Sequence, residues 1–407
     1  MDLISPHFGM ERMAFSKRTF HLRPEGAYQV LSRAQALEEK GRHIIHLEIG
    51  QPDFKTYANV RQAGVDAIND GLTLYTPPAG IAALRKAIAA DAGARRGAEI
   101  HPDQVVISPG AKPNLFFPTL ALVEPGDEVI YPNPGFPTYE AMIKVAGGIP
   151  VPVPLKEENG FSFDLQQFDK LINDRTKLVI LNSPSNPTGG VMPGTDLEHI
   201  ADAVKGRNAW VLSDEIYARI IYDGLRAPSI YSLPGMDERT IIVDGFSKTY
   251  AMTGWRLGYG VMPRELARRV ELLFTHSVGC TAQFTQFAGI EALCGPQDQV
   301  AEVVAQYQHR RDVVVAGLND IPGVICQKPG GAFYVFPSIK ALDISSVDLA
   351  NYLLEKAGVA LLPGSAFGSW GEGYLRISYA SSLENIARAM EKIAVTLKHL
   401  NRTSPNN

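Results

Sequence analysis

The stretch that decides the fold is Asp244-Gly-Phe-Ser-Lys248-Thr-Tyr-Ala-Met-Thr-Gly-Trp-Arg256-Leu-Gly-Tyr259. The apolar run at 241–244 that leads into it predicts a strand buried on both faces of a sheet, and the glycines and aromatic residues that follow predict a loop. Burial and neighbouring cations lower the pKa of a lysine, so Lys248 is a candidate nucleophile toward a carbonyl group. The guanidinium of Arg256 is suited to a phosphate.

Similar short apolar runs occur on both sides of this stretch and alternate with helix-length segments. They cover residues 104–108, 128–131, 177–182, 210–214 and 257–261. This alternation predicts an α/β fold, with a mostly parallel sheet flanked by helices. Ligands of such sheets bind outside the carboxyl ends of the strands, so the residues that follow each run are the candidate functional residues.

The pattern changes after about residue 295. Long helical segments at 297–318 and 383–400 surround short strands at 331–335 and 374–378, which predicts a second, smaller α/β domain. A helix candidate at 27–40 is too isolated to fold alone and is expected to pack on this C-terminal part. We therefore divide the chain into an N-terminal arm with part of the small domain (1–48), a large domain (49–294) and a C-terminal small domain (295–407).

Composition excludes several classes of protein. The 407 residues include 39 Lys and Arg against 43 Asp and Glu, a net charge of -4, and 45% are hydrophobic. This balance favours small-molecule partners over nucleic acid or a membrane surface. The three cysteines have no spacing for a disulfide framework or a zinc site. The first residues contain no basic region that leads into an apolar stretch, so we expect no leader segment, and no apolar run approaches the ~20 residues of a membrane span. We expect a soluble, cytoplasmic protein.

Other catalytic motifs are missing from the sequence. His43 and His46 are three residues apart but have no further ligand at a suitable spacing, so no metal site is predicted. No Gly-x-Gly-x-x-Gly follows a strand, and neither a phosphate-binding P-loop nor a Gly-x-Ser-x-Gly elbow occurs. Nicotinamide-dependent, nucleotide-hydrolysing and serine-esterase activities therefore lose their main support.

The segment 244–259 closely resembles the active-site lysine motif of the class I and II aminotransferases, which are fold type I pyridoxal-phosphate (PLP) enzymes of the aspartate/aromatic aminotransferase type. Five more segments match this family: Ile49-Gly-Gln-Pro-Asp53, Leu74-Tyr-Thr-Pro-Pro-Ala-Gly80, Asn182-Ser-Pro-Ser-Asn-Pro-Thr-Gly189, Ser213-Asp-Glu-Ile-Tyr217 and Tyr374-Leu-Arg-Ile-Ser-Tyr379. The resemblance implies a homodimer with shared sites and a ping-pong transamination, in which an L-amino acid gives its amino group to a 2-oxo acid such as 2-oxoglutarate.

By this resemblance, Lys248 forms a Schiff base with PLP and moves the proton between the substrate Cα and the cofactor. Asp214 matches the carboxylate that pairs with the pyridine nitrogen and keeps the ring an electron sink. Its neighbour Glu215 is the alternative, and the sequence does not distinguish the two. Tyr217 and Asn186 match the hydrogen-bond donors to the phenolic oxygen of the cofactor.

The resemblance also assigns a phosphate site at the start of a predicted helix, where free backbone amides attract an anion. Its residues are Gly110, Ala111, Lys112 and Arg256, with Tyr75 contributed by the neighbouring subunit. Distant branches of the family often carry a phosphate-binding hydroxyl three residues before the lysine. Gly245 occupies that position here, and Ser247 is the candidate replacement.

The resemblance implies one further cofactor contact and a substrate site formed by Gly50, Asn186 and Arg376. Phe136 matches the aromatic that stacks on the cofactor ring. Arg376 matches the arginine that holds the substrate α-carboxylate through two parallel hydrogen bonds, and the backbone N–H of Gly50 points to the same carboxylate, beside Asn186. Closure of the small domain would bring Gly50 and Arg376 together.

The sequence does not decide which amino-acid side chain the substrate carries. Acidic donors need a second cation, for which Arg18, Arg23 and Lys112 are candidates, and the aromatics near residues 20–28 favour a broad or aromatic range. A PLP-dependent carbon-sulfur lyase is the alternative activity, since elimination enzymes share the same pocket. A catalytically silent binding or regulatory relative is the third interpretation.

Overall fold

The computed structural model describes residues 15–20, 22 and 24–403. Its strands are β1 (Ile45–His46), β2 (Val105–Ser108), β3 (Glu128–Asn133), β4 (Ile149–Lys156), β5 (Ser162–Phe163), β6 (Thr176–Asn182), β7 (Trp210–Asp214), β8 (Thr240–Gly245), β9 (Gly258–Val261), β10 (Tyr334–Val335), β11 (Val359–Ala360), β12 (Leu362–Pro363) and β13 (Leu375–Ser378).

Its α-helices are α1 (Gly26–Glu38), α2 (Ala58–Asn69), α3 (Ala82–Arg96), α4 (Lys112–Leu122), α5 (Thr138–Ala146), α6 (Leu165–Leu171), α7 (Gly194–Lys205), α8 (Arg264–Thr275), α9 (Gln283–Cys294), α10 (Asp298–Asn319), α11 (Ser346–Tyr352) and α12 (Leu383–Thr403). A π-helical turn continues α11 over Leu353–Ala357. Within the described residues, no helix combines the length and the apolar character that a membrane crossing requires.

The central sheet has eight strands in the order β2-β9-β8-β7-β6-β3-β4-β5. Strands β4, β3, β6, β7 and β8 run parallel, while β9 is antiparallel to both of its neighbours and β5 is antiparallel to β4. Helices pack around this sheet, and its apolar strand residues form the core. The predicted α/β fold with a mostly parallel sheet is confirmed.

Strand β4 is the large element that sequence reasoning missed. Its sequence, Ile-Pro-Val-Pro-Val-Pro-Leu-Lys, alternates apolar residues with Pro150, Pro152 and Pro154. Proline cannot donate to a sheet ladder, which normally argues against a strand. Here the segment pairs in parallel with β3 near one edge of the sheet.

A smaller layer contains the three-stranded sheet β10-β13-β12 and the parallel pair β1-β11. The pairing of Ile45 with Val359 joins the N-terminal and C-terminal segments, and Ala34 of α1 packs against Leu354 and Ala360. The domain boundaries after residues 48 and 294 stay a prediction.

The predicted strand at 331–335 is shorter than expected. Only Tyr334 and Val335 pair as a strand, because Ala332 has φ 57°, in the left-handed region that interrupts an extended chain. The short strand still brings Tyr334 to the same space as the ends of the central strands.

Candidate active site

A cleft of about 720 Å³ lies at the carboxyl ends of the central strands. Asn182 ends β6, Asp214 ends β7, and the loop with Ser247 and Lys248 follows β8; all four residues line the cleft. Arg376 of β13 closes it from the smaller layer. The topology therefore places the predicted residues where open α/β sheets bind their ligands.

Lys248 is half-buried in the cleft, and its Nζ donates a hydrogen bond to the Gly50 carbonyl at 2.6 Å. Burial lowers the pKa of Lys248 to about 8, and the charges of Arg376 and Arg256 act in the same direction. A substantial fraction of this amine is therefore neutral near physiological pH, which is the form that attacks a carbonyl carbon.

Asp214 and Glu215 have different environments. Asp214 lines the cleft and accepts a hydrogen bond from the Tyr139 hydroxyl at 2.7 Å, and burial raises the pKa of Asp214 to about 6. Glu215 instead forms a buried ion pair with Arg96 at 2.5 Å and accepts a hydrogen bond from Ser229 at 2.6 Å. Asp214 is thus the carboxylate available to a ligand in the cleft.

Sequence reasoning missed Tyr139. It is the second residue of α5, fully buried, and its ring lies edge-on to Phe136 with 5.8 Å between centroids. No signal in the sequence could have found it, because Phe136 lies before α5 and no helical spacing relates the two rings. Its hydrogen bond fixes the Asp214 carboxylate.

Arg376 is a buried cation that forms no ion pair with a carboxylate in the described part of the chain. One terminal nitrogen donates to Asn186 Oδ1 at 3.2 Å and the other to the Glu48 carbonyl. Its Nε is buried without a hydrogen-bond partner among the described residues. Burial lowers the pKa of Arg376. A buried guanidinium with free donors suits a carboxylate ligand, which would compensate the charge.

Tyr217 is buried beside this arginine and Lys248. Its hydroxyl lies 2.7 Å from the hydroxyl of Tyr334, a second cleft residue that sequence reasoning missed. The backbone N–H of Asn186 donates to Asn182 Oδ1 at 2.8 Å, which fixes the loop that carries the Asn186 side chain. The structure therefore brings Tyr217, Asn186 and Arg376 to one wall of the cleft.

The loop between β2 and α4 is the predicted phosphate site. Arg256 donates to the carbonyls of Thr253 at 3.0 Å and Pro109 at 3.2 Å, which holds its guanidinium at the start of α4. Gly110 has φ +85°, and a Cβ there would lie 2.1 Å from an Arg256 nitrogen. The glycine lets the cation reach the free backbone amides at the start of α4, where a phosphate is favoured.

Position 245 has too little room for a side chain that carries a hydroxyl. A Cβ at this position would lie 3.0 Å from the Cα of Gly258 in the neighbouring strand β9, so a side chain has little room. Ser247 lines the cleft two residues later. Its role as the replacement phosphate contact stays a prediction.

The outer part of the cleft combines charge with aromatic surface. Lys112 pairs with Glu25 and lies over the Phe136 ring, with Nζ 5.1 Å from the ring centroid. Tyr28 of α1 lines the same region. Of the other candidate cations, Arg23 lies outside the described residues, and Arg18 is not among the described residues that line the cleft.

Tyr75 is the predicted site residue that lies away from the others. It is 97% exposed and is not among the described residues that line the cleft of its own chain. Its neighbour Leu74 is also exposed. The contribution of Tyr75 to a partner's site stays a prediction.

The residues of the cleft fit PLP. A partly neutral lysine suits an aldehyde, a buried carboxylate suits a pyridine nitrogen, and Arg256 with the start of α4 suits a phosphate. The buried Nε of Arg376 offers a free donor to the carboxylate of an amino acid. Among the described residues, no group of three or more His, Cys, Asp or Glu side chains is arranged to hold a metal ion.

Comparison with known proteins identifies the family of the chain. The family model "Aminotransferase class I and II" matches residues 42–393. The chain is 41% identical over 373 residues to an aspartate aminotransferase of Pyrococcus horikoshii, covering 91% of this chain and 94% of that protein. It is 38% identical over 389 residues to aromatic-amino-acid aminotransferase 2 of Thermococcus litoralis, covering 95% and 99%.

The crystal structure of the aspartate aminotransferase from Rhizobium meliloti matches with a TM-score of 0.91 and 36% identity, covering 95% of this chain and 99% of that one. These findings confirm the predicted fold type I architecture, the transaminase activity and the PLP cofactor, and they do not favour the lyase alternative. The chain belongs to the class I and II aminotransferases.

Proposed function

We propose that this aminotransferase takes its amino group from L-amino acids with acidic or aromatic side chains and passes it to a 2-oxo acid, with 2-oxoglutarate as the acceptor. The observation that carries this proposal is the grouping of Lys248, Asp214 and Arg376 around one cleft whose outer part offers both a cation and aromatic rings. The first 2-oxo acid leaves before the second binds, which gives ping-pong kinetics.

When bound, PLP supplies an aldehyde that takes up the amino group and a ring that withdraws electrons. The Lys248 amine, once it is no longer bound to the cofactor, removes a proton from the substrate Cα and delivers a proton to the cofactor. Its lowered pKa suits both roles because the neutral and protonated forms are both accessible. Asp214, held by Tyr139, keeps a proton on the ring nitrogen.

Arg376 orients the substrate. Its guanidinium binds the α-carboxylate bidentately, and Asn186 and the Gly50 turn define the position of that group. Holding the carboxylate sets the Cα–H bond toward Lys248. Arg256 and the start of α4 anchor the phosphate at the opposite end of the cleft.

Lys112, Phe136 and Tyr28 support the proposed donor range. A distal carboxylate would replace Glu25 as the partner of Lys112, while an aromatic side chain would pack on Phe136 and Tyr28. The relatives in two of the comparisons are named for aspartate and for aromatic amino acids. Glu25 therefore competes with acidic donors for Lys112 and does not affect the binding of aromatic donors.

Steady-state kinetics with L-aspartate and L-phenylalanine, each with 2-oxoglutarate, test this proposal. In Glu25→Gln, the KM for L-aspartate should fall by roughly 2- to 10-fold because a competing ionic contact of about 0.5–1.5 kcal/mol is lost. The KM for L-phenylalanine should stay unchanged. Glu355→Gln, which removes the exposed partner of Arg33, is the matched control.

Two outcomes would contradict the proposal. Release of ammonia without formation of glutamate would exclude amino transfer between these substrates. Unchanged aspartate kinetics in both Glu25→Gln and Lys112→Met would exclude Lys112 as the cation that binds an acidic side chain, and no activity with L-aspartate would exclude acidic donors.

We also propose that the protein is a homodimer with shared sites and acts in the cytoplasm. The exposed Tyr75 and Leu74 support the first statement, since a loop with two large exposed side chains suits a subunit interface. The absence of a disulfide framework among the three cysteines supports the second.

A further inference from the structure

The hydroxyl of Tyr334 holds a position in the cleft that the proposed mechanism has not used. Tyr334 lies on β10, is 1% exposed and lines the cleft. Its oxygen is 2.7 Å from the Tyr217 oxygen. The two rings are nearly perpendicular, at 81°, with 5.7 Å between centroids, so the contact joins the tips of the side chains.

The backbone leaves room for this hydroxyl. A Cβ at Gly50 would lie 1.9 Å from the Tyr334 oxygen, so only glycine fits at that position. The Gly50 carbonyl accepts the hydrogen bond from Lys248. Tyr334 is thus fitted between the turn that contacts the catalytic lysine and the tyrosine proposed to contact the cofactor.

The direction of the hydrogen bond decides what Tyr217 can do. A phenol hydroxyl has one hydrogen to donate and lone pairs to accept. If Tyr217 donates to Tyr334, it has no hydrogen left for the cofactor. If Tyr334 donates to Tyr217, the Tyr217 hydrogen is free to point at an acceptor in the cleft.

Electrostatics favour Tyr334 as the donor. The Arg376 guanidinium lies against its ring, with 4.6 Å between Cζ and the ring centroid. Burial raises the pKa of both Tyr334 and Tyr217, and the charge of Arg376 opposes the rise in both, but it is the Tyr334 ring that the guanidinium contacts. A phenol beside a cation is a stronger donor, and an oxyanion that accepts from Tyr217 polarises the chain in the same direction.

We infer that Tyr334 is a positioning residue: its hydroxyl donates to the Tyr217 oxygen and thereby directs the Tyr217 hydrogen toward the phenolic oxygen of bound PLP. This inference rests on the proposed contact of Tyr217 with the cofactor. It assigns a function to Tyr334 that acts through another side chain and leaves substrate binding to Arg376.

The test is an absorbance titration of the holoenzyme, which measures the pH at which the spectrum of the lysine-bound cofactor changes. A hydrogen-bond donor to the phenolic oxygen favours the deprotonated form of the link between lysine and cofactor. Loss of that donor therefore raises the pH of the spectral change. Tyr217→Phe should raise it, and Tyr334→Phe should raise it by about 0.5–1 unit, the size of one hydrogen bond. The double variant should match Tyr217→Phe, because Tyr334 acts only through Tyr217.

Tyr379→Phe is the matched control. Tyr379 forms another buried pair of tyrosine hydroxyls, with Tyr222 at 3.3 Å, and neither residue is among the described residues that line the cleft. It should leave the titration unchanged. Incorporation of 3-fluorotyrosine at position 334 retains the hydroxyl and makes it more acidic, so this variant should lower the pH of the spectral change.

A shift in Tyr217→Phe without a shift in Tyr334→Phe beyond that of Tyr379→Phe would overturn the inference and leave the proposed function intact. No shift in Tyr217→Phe would remove the contact on which the inference depends. A rise in pH with 3-fluorotyrosine would reverse the assigned direction of the hydrogen bond.

Discussion

Lys248 is surrounded more by positive than by negative charge. Burial and the charges of Arg376 and Arg256 lower the pKa of its amine, and only the carboxylate of Asp214 acts in the opposite direction among the main contributors. The amine also has an acceptor in the Gly50 carbonyl, which orients it without adding charge. This combination yields a nucleophile that is both positioned and partly deprotonated.

A pH dependence follows for the uptake of PLP by the apoprotein. Only the neutral amine attacks, so the rate of covalent uptake should rise about tenfold per pH unit below the Lys248 pKa. It should level off above about 8, the lowered pKa of this amine. Stopped-flow absorbance measures the rate, and a rise that continues to the pH of an ordinary lysine would contradict this account.

Arg376→Gln provides a variant with a predictable effect on that profile. Removing the nearby positive charge raises the pKa of Lys248, so the levelling of the rate should move to higher pH. Arg33→Gln removes an exposed arginine that pairs with Glu355, and it should leave the profile unchanged.

The sequence could not predict which of two adjacent acids, Asp214 or Glu215, faces the cleft. Asp214 and Glu215 are both acids at the end of β7, and the sequence does not distinguish their directions. The structure does, because successive side chains along an extended chain point to opposite faces. Tyr334 was missed because its partner Tyr217 is 117 residues away in sequence, and no local pattern reports such a contact.

At the scale of elements, apolar runs predicted the central strands within two residues because those strands are buried on both faces. Strand β4 was missed because its prolines resemble those of a loop. The strand ends indicated the region of the site and the family resemblance supplied its residues, whereas the fit of Gly110 against Arg256 required coordinates.

The contact between the β2–α4 loop and Arg256 makes a specific prediction. Gly110→Ala places a Cβ into the Arg256 guanidinium and moves it from the start of α4, so the Kd for PLP should rise by at least about tenfold, the effect of one charge-assisted hydrogen bond. Equilibrium dialysis or fluorescence titration of the apoprotein measures this constant.

Gly71→Ala is the control for the clash between the Cβ added at position 110 and the Arg256 guanidinium. Gly71 also has a positive φ, of +72°, but nothing lies within 4 Å of the added Cβ. Both variants carry a similar conformational cost, of about 1 kcal/mol. Gly71→Ala should leave the Kd for PLP unchanged, and equal losses of PLP affinity in the two variants would show that the effect does not depend on the contact with Arg256.

At the scale of the whole molecule, the exposed position of Tyr75 makes the proposed site incomplete in one chain. Sequence resemblance predicted the partner's contribution, and a single chain has no contact that reports it. The prediction depends on a symmetric dimer, in which each subunit gives its loop to the other.

Hybrid dimers test this arrangement. When Tyr75→Ala and Lys248→Ala proteins are dissociated and reassociated together, a mixed dimer contains one site with both native residues. Activity should rise well above that of either variant, toward about one quarter of the native value for random pairing. Activity no higher than the mean of the two parents would place both residues in the same subunit's site.

The central claim is that the Lys248 amine is the group covalently joined to PLP, and mass spectrometry tests it most directly. The holoprotein is reduced with borohydride, digested and sequenced by tandem mass spectrometry. We predict a pyridoxyl group on the peptide that contains Lys248, and its loss in Lys248→Ala. A pyridoxyl group on any other lysine, or on none, would contradict the account.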